Sequence, residues 1–297
     1  MPHWGIGKPA GTVGGLWLTP LYGCPDATHP RRVNSPLLLD LVCDLAAAHA
    51  QPDRPPLISI AGPQGSGKTT LAQAAAARLN GAAFSLDDVY LTRAERAELA
   101  ARVHPLFAVR GPPGTHDLEL ADHTVQALRA AGDGGATPLP GFDKLADERL
   151  AEGDWPVFHG RPGAILIDGW CLGATRQDPV ALAAPVNALE REEDPNTVWR
   201  SYADEALAGR YAAWFAGFDA VVFLAAPSFD TVLDWRCEQE AGLMGITPSG
   251  LPADRRAELA RFIQHFERIT RHMLAGGVSA AATVRLDARR QVLAIET

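Results

Sequence analysis

At 297 residues, with 47% hydrophobic side chains, the chain carries enough apolar material for a large core and reads as one domain with insertions. A formal net charge of −8 argues against broad attraction to nucleic acid or to an anionic membrane and leaves a small molecule as the expected partner, with the oligomeric state open. No run approaches the roughly eighteen apolar residues of a membrane span. The chain does not open on a basic flank followed by an apolar signal core. The four cysteines (Cys24, Cys43, Cys171 and Cys237) lack metal or redox spacing, so the expected location is the reducing cytoplasm.

Residues 1–35, rich in Gly and Pro, read as an irregular N-terminal extension, and residues 36–297 as the functional domain. Ser35-Pro36 is an N-cap followed by proline at the first helical position, with Leu37, Leu38, Leu41, Val42 and Leu45 on one face. Leu57 to Ala61 is a short apolar strand, and beyond a glycine-rich turn Thr69 to Leu79 is helical and closed by Asn80-Gly81. Further buried strands are expected at Ala82 to Leu86, Ala164 to Ile167, Ala220 to Leu224 and Ala282 to Leu286. Helical patterns run over Leu118 to Ala130, Thr197 to Phe215, Phe229 to Leu243 and Ala253 to Leu274. Short apolar strands alternating with helices specify a doubly wound α/β fold around a parallel sheet, because parallel strands need crossover helices and are covered on both faces. Ala281 to Ile295 reads as a closing hairpin across Asp287-Ala288-Arg289-Arg290.

Gly62-Pro63-Gln64-Gly65-Ser66-Gly67-Lys68-Thr69 satisfies G-x-x-x-x-G-K-[ST] at every fixed position, between a strand and a helix. In such a loop backbone amides turn inward around phosphate oxygens, and the helix adds its positive end. Lys68 is expected on the β- and γ-phosphates of ATP and the Thr69 hydroxyl on Mg²⁺, with Gly62, Gln64, Gly65, Ser66, Gly67 and Thr70 completing the nucleotide site. Ile165-Leu166-Ile167-Asp168 is an apolar strand ending in a carboxylate, which makes Asp168 the candidate to hold a magnesium-bound water. Only three lysines occur, Lys8, Lys68 and Lys144, in a chain otherwise using arginine; each surviving lysine is a candidate for a place where a planar fork will not fit.

The acceptor side is expected to follow Ser85-Leu86-Asp87-Asp88-Val89-Tyr90, with Asp87 at the end of the strand beside the phosphate-loop strand, either orienting a hydroxyl or taking its proton. The alternative is that Asp87 and Asp88 merely cap the next helix. Two charge-dense loops, Arg110 to Asp117 and Pro140 to Lys144 with Arg149 beyond, extend the substrate set to Asp88, Tyr90, Arg110, His116, Asp117, Lys144 and Arg149. His116 reads equally as an inert surface residue, and Thr115 and Asp117 as caps of the helix from Leu118. A helical lid is expected over about residues 228–275, with Arg236 as the catalytic arginine that neutralises charge on the transferred group. Arg268 and Arg271 fit a solvated helix face at least as well.

Taken together, Gly62 to Thr70, Ser85 to Thr92, Arg110 to Asp117, Phe142-Asp143-Lys144, Asp168-Gly169-Trp170 and Trp235-Arg236 with Gln239-Glu240 resemble the plant- and fungal-type D-glycerate 3-kinases. These are relatives of uridine kinase, pantothenate kinase and phosphoribulokinase, and the likeness spans residues 57 to about 290. The resemblance implies a P-loop kinase fold, ATP and Mg²⁺, phosphorylation of D-glycerate to 3-phosphoglycerate, and Asp87 at the relatives' base position. Arg110, Lys144 and Arg149 are suited to an anionic acceptor, since Arg grips carboxylate bidentately, although each is equally suited to phosphate. The chain departs from the family at Asp168, where Glu is common, at Val89, where Phe is, and at Gly141, where a bulkier residue is expected; the lost bulk predicts room for a larger acceptor. Two alternatives stand beside this reading: a kinase for pantothenate, a nucleoside or a sugar phosphate, and a non-catalytic ATP-binding protein. The presence of both Asp87 and Arg236 weighs against the second.

Overall fold

The structure, a computed structural model, describes residues 36–297; the N-terminal extension, with Lys8 and Cys24, lies outside the described residues. In chain order the strands are β1 (Leu57–Ala61), β2 (Ala82–Ser85), β3 (Ala136–Pro138), β4 (Phe142–Asp143), β5 (Glu148–Arg149), β6 (Val157–His159), β7 (Ile165–Gly169), β8 (Ala220–Ala225), β9 (Ala282–Leu286) and β10 (Val292–Glu296). The helices are α1 (Pro36–Ala48), α2 (Lys68–Leu79), α3 (Arg93–Arg102), α4 (Leu118–Ala130), α5 (Pro179–Ala183), α6 (Ala188–Glu193), α7 (Val198–Ala206), α8 (Ala212–Phe215), α9 (Phe229–Leu243) and α10 (Ala253–Leu274).

The central sheet has the order β10-β9-β8-β1-β7-β2. Its strands run parallel except β10, which folds back antiparallel on β9 as the expected closing hairpin. The chain leaves β1 for β2 on one side and later returns past β1 to β8 on the other, so the strand order reverses at β1, the kind of switch point at whose carboxyl ends open α/β sheets bind ligands. The sequence reading placed β2 next to β1. Instead β7 lies between them, with Ile58 opposite Leu166 and Ala83 opposite Leu166 on its other edge. Sequence order gives no signal for such an insertion, because both β2 and β7 are short apolar runs.

Alternate residues of each strand feed two cores. Ile58, Ile60, Leu166, Val222 and Leu224 pack with α1, α2 and α9 through Leu38, Val42, Leu71, Ala75 and Trp235. On the opposite face Ile165, Ile167 and Phe223 pack with α4 and α10 through Val125, Leu128, Phe266 and Met273. Each such aliphatic or aromatic side chain contributes about 1.5–3 kcal/mol on full burial, so the parallel strands are fixed in place mainly by their apolar content. A third cluster, Leu99, Leu106, Phe107, Leu189 and Trp199, sits beneath α3.

Helix starts follow side-chain caps: Thr92 and Glu95 form a reciprocal box at α3, Asp117 accepts from Leu120 N at α4, and Ser228 accepts from Thr231 N at α9. At the end of α2 it is Asn80, not Gly81, that takes the left-handed conformation (φ 50°). The helix expected unbroken over Thr197 to Phe215 contains one wide π-type turn, Leu207–Tyr211, between α7 and α8. Among the described residues no helix is long and apolar enough to cross a membrane. Cys43, Cys171 and Cys237 are buried and unpaired.

Candidate active site

The phosphate loop leaves β1 at Gly62 and enters α2 at Lys68. Gly65 (φ 74°) and Gly67 (φ 91°) occupy left-handed backbone, and α2 begins without a side-chain cap, so its first amides are available to an anion. Gly65 is required for a second reason: a Cβ there would sit 2.6 Å from Cβ of Trp235 on α9. The crowding at this glycine therefore comes from a helix as well as from any bound phosphate. Ser66 Oγ and Gln64 Oε1, both within the loop, are buried without a hydrogen-bond partner. Lys68 arches back over the loop, with Nζ 3.4 Å from Pro63 O. Burial lowers its pKa against the opposing pull of Asp168 and Asp87. Thr70 follows, half-buried, in the first turn of α2.

Asp168, at the end of β7, is buried and accepts hydrogen bonds from Thr69 Oγ1 (2.8 Å) and Ser85 Oγ (3.3 Å). Burial raises its pKa, partly offset by Lys68 and by the Thr69 hydroxyl. The Thr69 hydroxyl and Asp168 carboxylate form a pair of hard oxygens beside the phosphate loop. That donor set fits Mg²⁺, which takes one or two protein oxygens and completes its octahedron with water and phosphate. No cluster of three or more His, Cys, Asp or Glu suited to a metal occurs among the described residues, and a magnesium shared with a nucleotide does not need one.

Asp87 lies in the short turn after β2. Tyr90 Oη donates to its Oδ1 at 2.6 Å and Lys144 Nζ lies 3.2 Å from its Oδ2. Burial alone would raise the carboxyl pKa; Lys144 and Lys68, with the Tyr90 hydroxyl, outweigh it and hold the group well below the usual carboxylate range. Lys144 is delivered by the β4–β5 ladder, whose tip is fixed by Asp143 Oδ1 accepting from Leu145 N and Ala146 N. Thus Lys68, Asp168, Asp87 and Lys144, contributed by the ends of β1, β7 and β2 and by a separate hairpin, lie close enough to act on one another at the carboxyl ends of the sheet.

His116 is not a surface residue. It is 1% exposed, stacks on Tyr90 with ring centroids 4.7 Å apart, and its Nδ1 lies 2.5 Å from Tyr211 Oη. Burial pushes its pKa down to about 3, so the ring is neutral. Tyr211 Oη also accepts from Gly114 N, and the other ring nitrogen of His116, Nε2, is buried without a partner. The wide turn ahead of α8 is what carries Tyr211 to this position, and the helical periodicity of the sequence gave no sign of it.

Other expected substrate residues have structural partners. Asp88 Oδ2 accepts from Ser85 N, closing a capping box, and burial raises its pKa to about 7. Arg110 pairs with Asp147 at 2.5 Å, a carboxylate that Arg96 also holds at 2.9 Å. Arg149 bonds Asp117 Oδ2 (3.0 Å) and Tyr90 O (2.9 Å), while Asp117 caps α4. These groups brace the loops around Asp87 and Lys144. The predicted extra room is absent as well: Val89 is part of the apolar core, and a Cβ on Gly141 would meet the end of Leu150, 2.9 Å away, so neither position opens a pocket.

Arg236 stands on α9 beside Trp235, its Nη2 2.9 Å from Glu240 Oε2 and its Nη1 buried without a partner. Glu240 is in turn gripped by Arg255 of α10. Arg268 is not on a solvated face. It is buried, makes a bidentate pair with Glu190 of α6 (2.7 and 2.6 Å) and donates to Ala181 O and Ala184 O. Arg271 pairs with Glu267 and lies over Phe229. The sequence reading missed Tyr211 and Arg290; Arg290 donates to Gly65 O in the phosphate loop at 2.6 Å.

No family model matches the chain. The uncharacterized kinase mug58 of Schizosaccharomyces pombe is 29% identical over 246 residues, 77% of this chain and 85% of that protein. Among solved structures, D-glycerate 3-kinase from Cryptococcus neoformans var. grubii superposes with a TM-score of 0.67 at 19% identity, covering 87% of this chain and 96% of that one. The protein YGR205w superposes with a TM-score of 0.57 at 19% identity, over 87% and 97%. The chain has the fold of the P-loop kinases, the fold that its sequence motifs resemble.

Proposed function

We propose that the protein is an ATP-dependent kinase of a small hydroxy acid, with D-glycerate the first candidate acceptor and 3-phosphoglycerate its product. The observation that carries this reading is the convergence of the phosphate-loop Lys68, the Thr69–Asp168 oxygen pair and the ionised Asp87 at one end of the sheet. A phosphate grip, a magnesium-compatible pair and a carboxylate for an incoming hydroxyl are what phosphoryl transfer to an alcohol requires. The glycerate kinase named among the structural neighbours supports the choice of acceptor.

In this reading Mg²⁺, when bound, neutralises charge on the β- and γ-phosphates. Thr69 and Asp168 hold it, and Lys68 and the loop amides hold the phosphates. Asp87 orients the acceptor hydroxyl and takes its proton as the oxygen bonds the γ-phosphorus and the bond to the β,γ-bridging oxygen breaks, leaving ADP. Lys144 leaves Asp87 to pair with the acceptor carboxylate, a point charge suited to an anion of variable orientation. Arg236 supplies its unpartnered Nη1 to the transferred group. Under this mechanism the anionic acceptor is the partner, and ATP with Mg²⁺ the requirement.

The test is ADP release with Mg-ATP against D-glycerate, L-glycerate, pantothenate, uridine and ribulose 5-phosphate. Turnover with D-glycerate alone supports the proposal. Turnover with another member reassigns the acceptor, and silence across the panel despite tight ATP binding points to a non-catalytic nucleotide-binding protein.

A further inference from the structure

The turn joining β9 to β10 is tied to the phosphate loop by one side chain. Arg290 donates through Nε to Gly65 O (2.6 Å) and through Nη1 to Glu238 Oε2 of α9 (2.8 Å), and its guanidinium lies 4.8 Å from the ring centroid of Trp235. Trp235, almost fully buried, donates its indole N–H to Ala288 O of the same turn (2.8 Å), and its Cβ is the atom that excludes a side chain at Gly65. Three segments far apart in sequence therefore meet at the Gly65 peptide.

The backbone at Arg290 makes the choice of residue informative. Its φ is +62°, a conformation that glycine or asparagine adopts more readily than arginine. The turn itself is closed without the Arg290 side chain: Asp287 Oδ1 accepts from Arg289 N and Gln291 N, and Arg290 N donates to Asp287 O. An unfavourable residue in a turn that does not need it points to a use for the side chain.

Because the peptide group is planar and trans, holding Gly65 O from outside turns the Ser66 N–H the opposite way, into the loop, where it donates to Pro63 O (3.2 Å). With Gly65 O held by Arg290 and the Ser66 N–H held by Pro63 O, both sides of this peptide are fixed, and a loop already ordered binds phosphate at a smaller entropic cost. We propose that Arg290 is a positioning residue for the phosphate loop, fixing the Gly65–Ser66 peptide for phosphate binding and coupling it to α9, which carries Arg236. The inference rests on the reading of this loop as a nucleotide-phosphate site and extends it to a residue outside the motif.

Two variants test it, Arg290→Gly, which relaxes the left-handed backbone, and Arg290→Met, which keeps the packing on Trp235 and removes the donors. Binding is measured by titration calorimetry with Mg-ADP and with inorganic triphosphate, which carries phosphates and no base, alongside ligand-free melting to establish folding. Both variants should weaken both ligands by a similar factor of at least about tenfold, the order expected for one charge-assisted hydrogen bond. Wild-type affinity for both ligands in either folded variant overturns the proposal, as does a loss confined to ADP, which would assign Arg290 to the base. If wild type binds neither ligand, the nucleotide reading of the loop fails together with it, whereas unchanged variants of a binding wild type sink this inference alone.

Discussion

Replacing Asp87 by Asn separates chemistry from folding. The amide keeps the size of the carboxylate and an oxygen to accept from Tyr90 Oη, now at 2.6 Å, but it carries no charge for Lys144 and cannot take a proton. The Lys144–Asp87 pair is partly exposed, with 42% and 29% of the side chains accessible, so its loss costs about 0–1 kcal/mol. Turning the Tyr90 bond from charged to neutral costs about 1 kcal/mol more. Together these stay well inside the roughly 5–15 kcal/mol that holds a domain folded, so the variant should melt within a few degrees of wild type. Catalysis has more to lose. Proton transfer by a positioned base contributes about 10²- to 10⁴-fold, equivalent to roughly 3–5 kcal/mol of barrier. Steady-state ADP release at varied ATP and acceptor should therefore show kcat lower by at least about a hundredfold, with KM for ATP changed by less than about threefold. A folded Asp87→Asn protein with kcat within about threefold of wild type would refute the role of Asp87 as base.

Two further substitutions probe the other parts. Thr69→Val removes the hydroxyl that meets Asp168 at 2.8 Å while preserving shape, and the Mg²⁺ concentration for half-maximal rate should rise by at least about tenfold; an unchanged magnesium titration would detach Thr69 from the metal. Arg268→Met strips the partner from Glu190, which is fully buried, and should cost about 3–5 kcal/mol of stability, whereas a solvated arginine would cost less than about 0.5 kcal/mol. Denaturant melts distinguish these outcomes, and adding Glu190→Leu should restore much of the loss, because the uncompensated buried charge is then gone.

The elements of the fold were legible because their signals are local. Five apolar strands of the central sheet were found to within two residues at either end, and α4, α9 and α10 at their observed bounds, since hydrophobic period and caps such as Asp117 and Ser228 act over a few residues. The position of β7 between β1 and β2 was not legible, because sheet order depends on which apolar faces the crossover helices cover. The loop charges misled for a related reason. Arg110 and Arg149 look alike in sequence whether they await a ligand or a neighbour, and their neighbours, Asp147 and Asp117, lie 37 and 32 positions away. His116 read equally as a surface residue because nothing near it in sequence announces the Tyr211 hydroxyl, 95 positions on, that meets its Nδ1. Arg290 escaped because the phosphate loop it holds is 225 positions distant.

Lysine usage picks out a tighter cluster of side chains than charge density does. Of the three lysines, the two in the described residues, Lys68 and Lys144, both act on the same carboxylate, Asp87, one from the phosphate loop and one from a hairpin. The arginines around them are spent on fixed, multidentate partners: Arg96 on two carbonyls and Asp147, Arg149 on Asp117 and Tyr90 O, Arg268 on Glu190 and two carbonyls. This division follows from the groups themselves. A planar guanidinium holds several acceptors in one geometry and so serves bracing, whereas an ammonium on a flexible stem keeps its charge while its partner changes. On the proposed reading, a site in which a phosphoryl group arrives, moves and departs is served by the second kind of cation at its centre, with Arg236 beside it, and by the first kind around it.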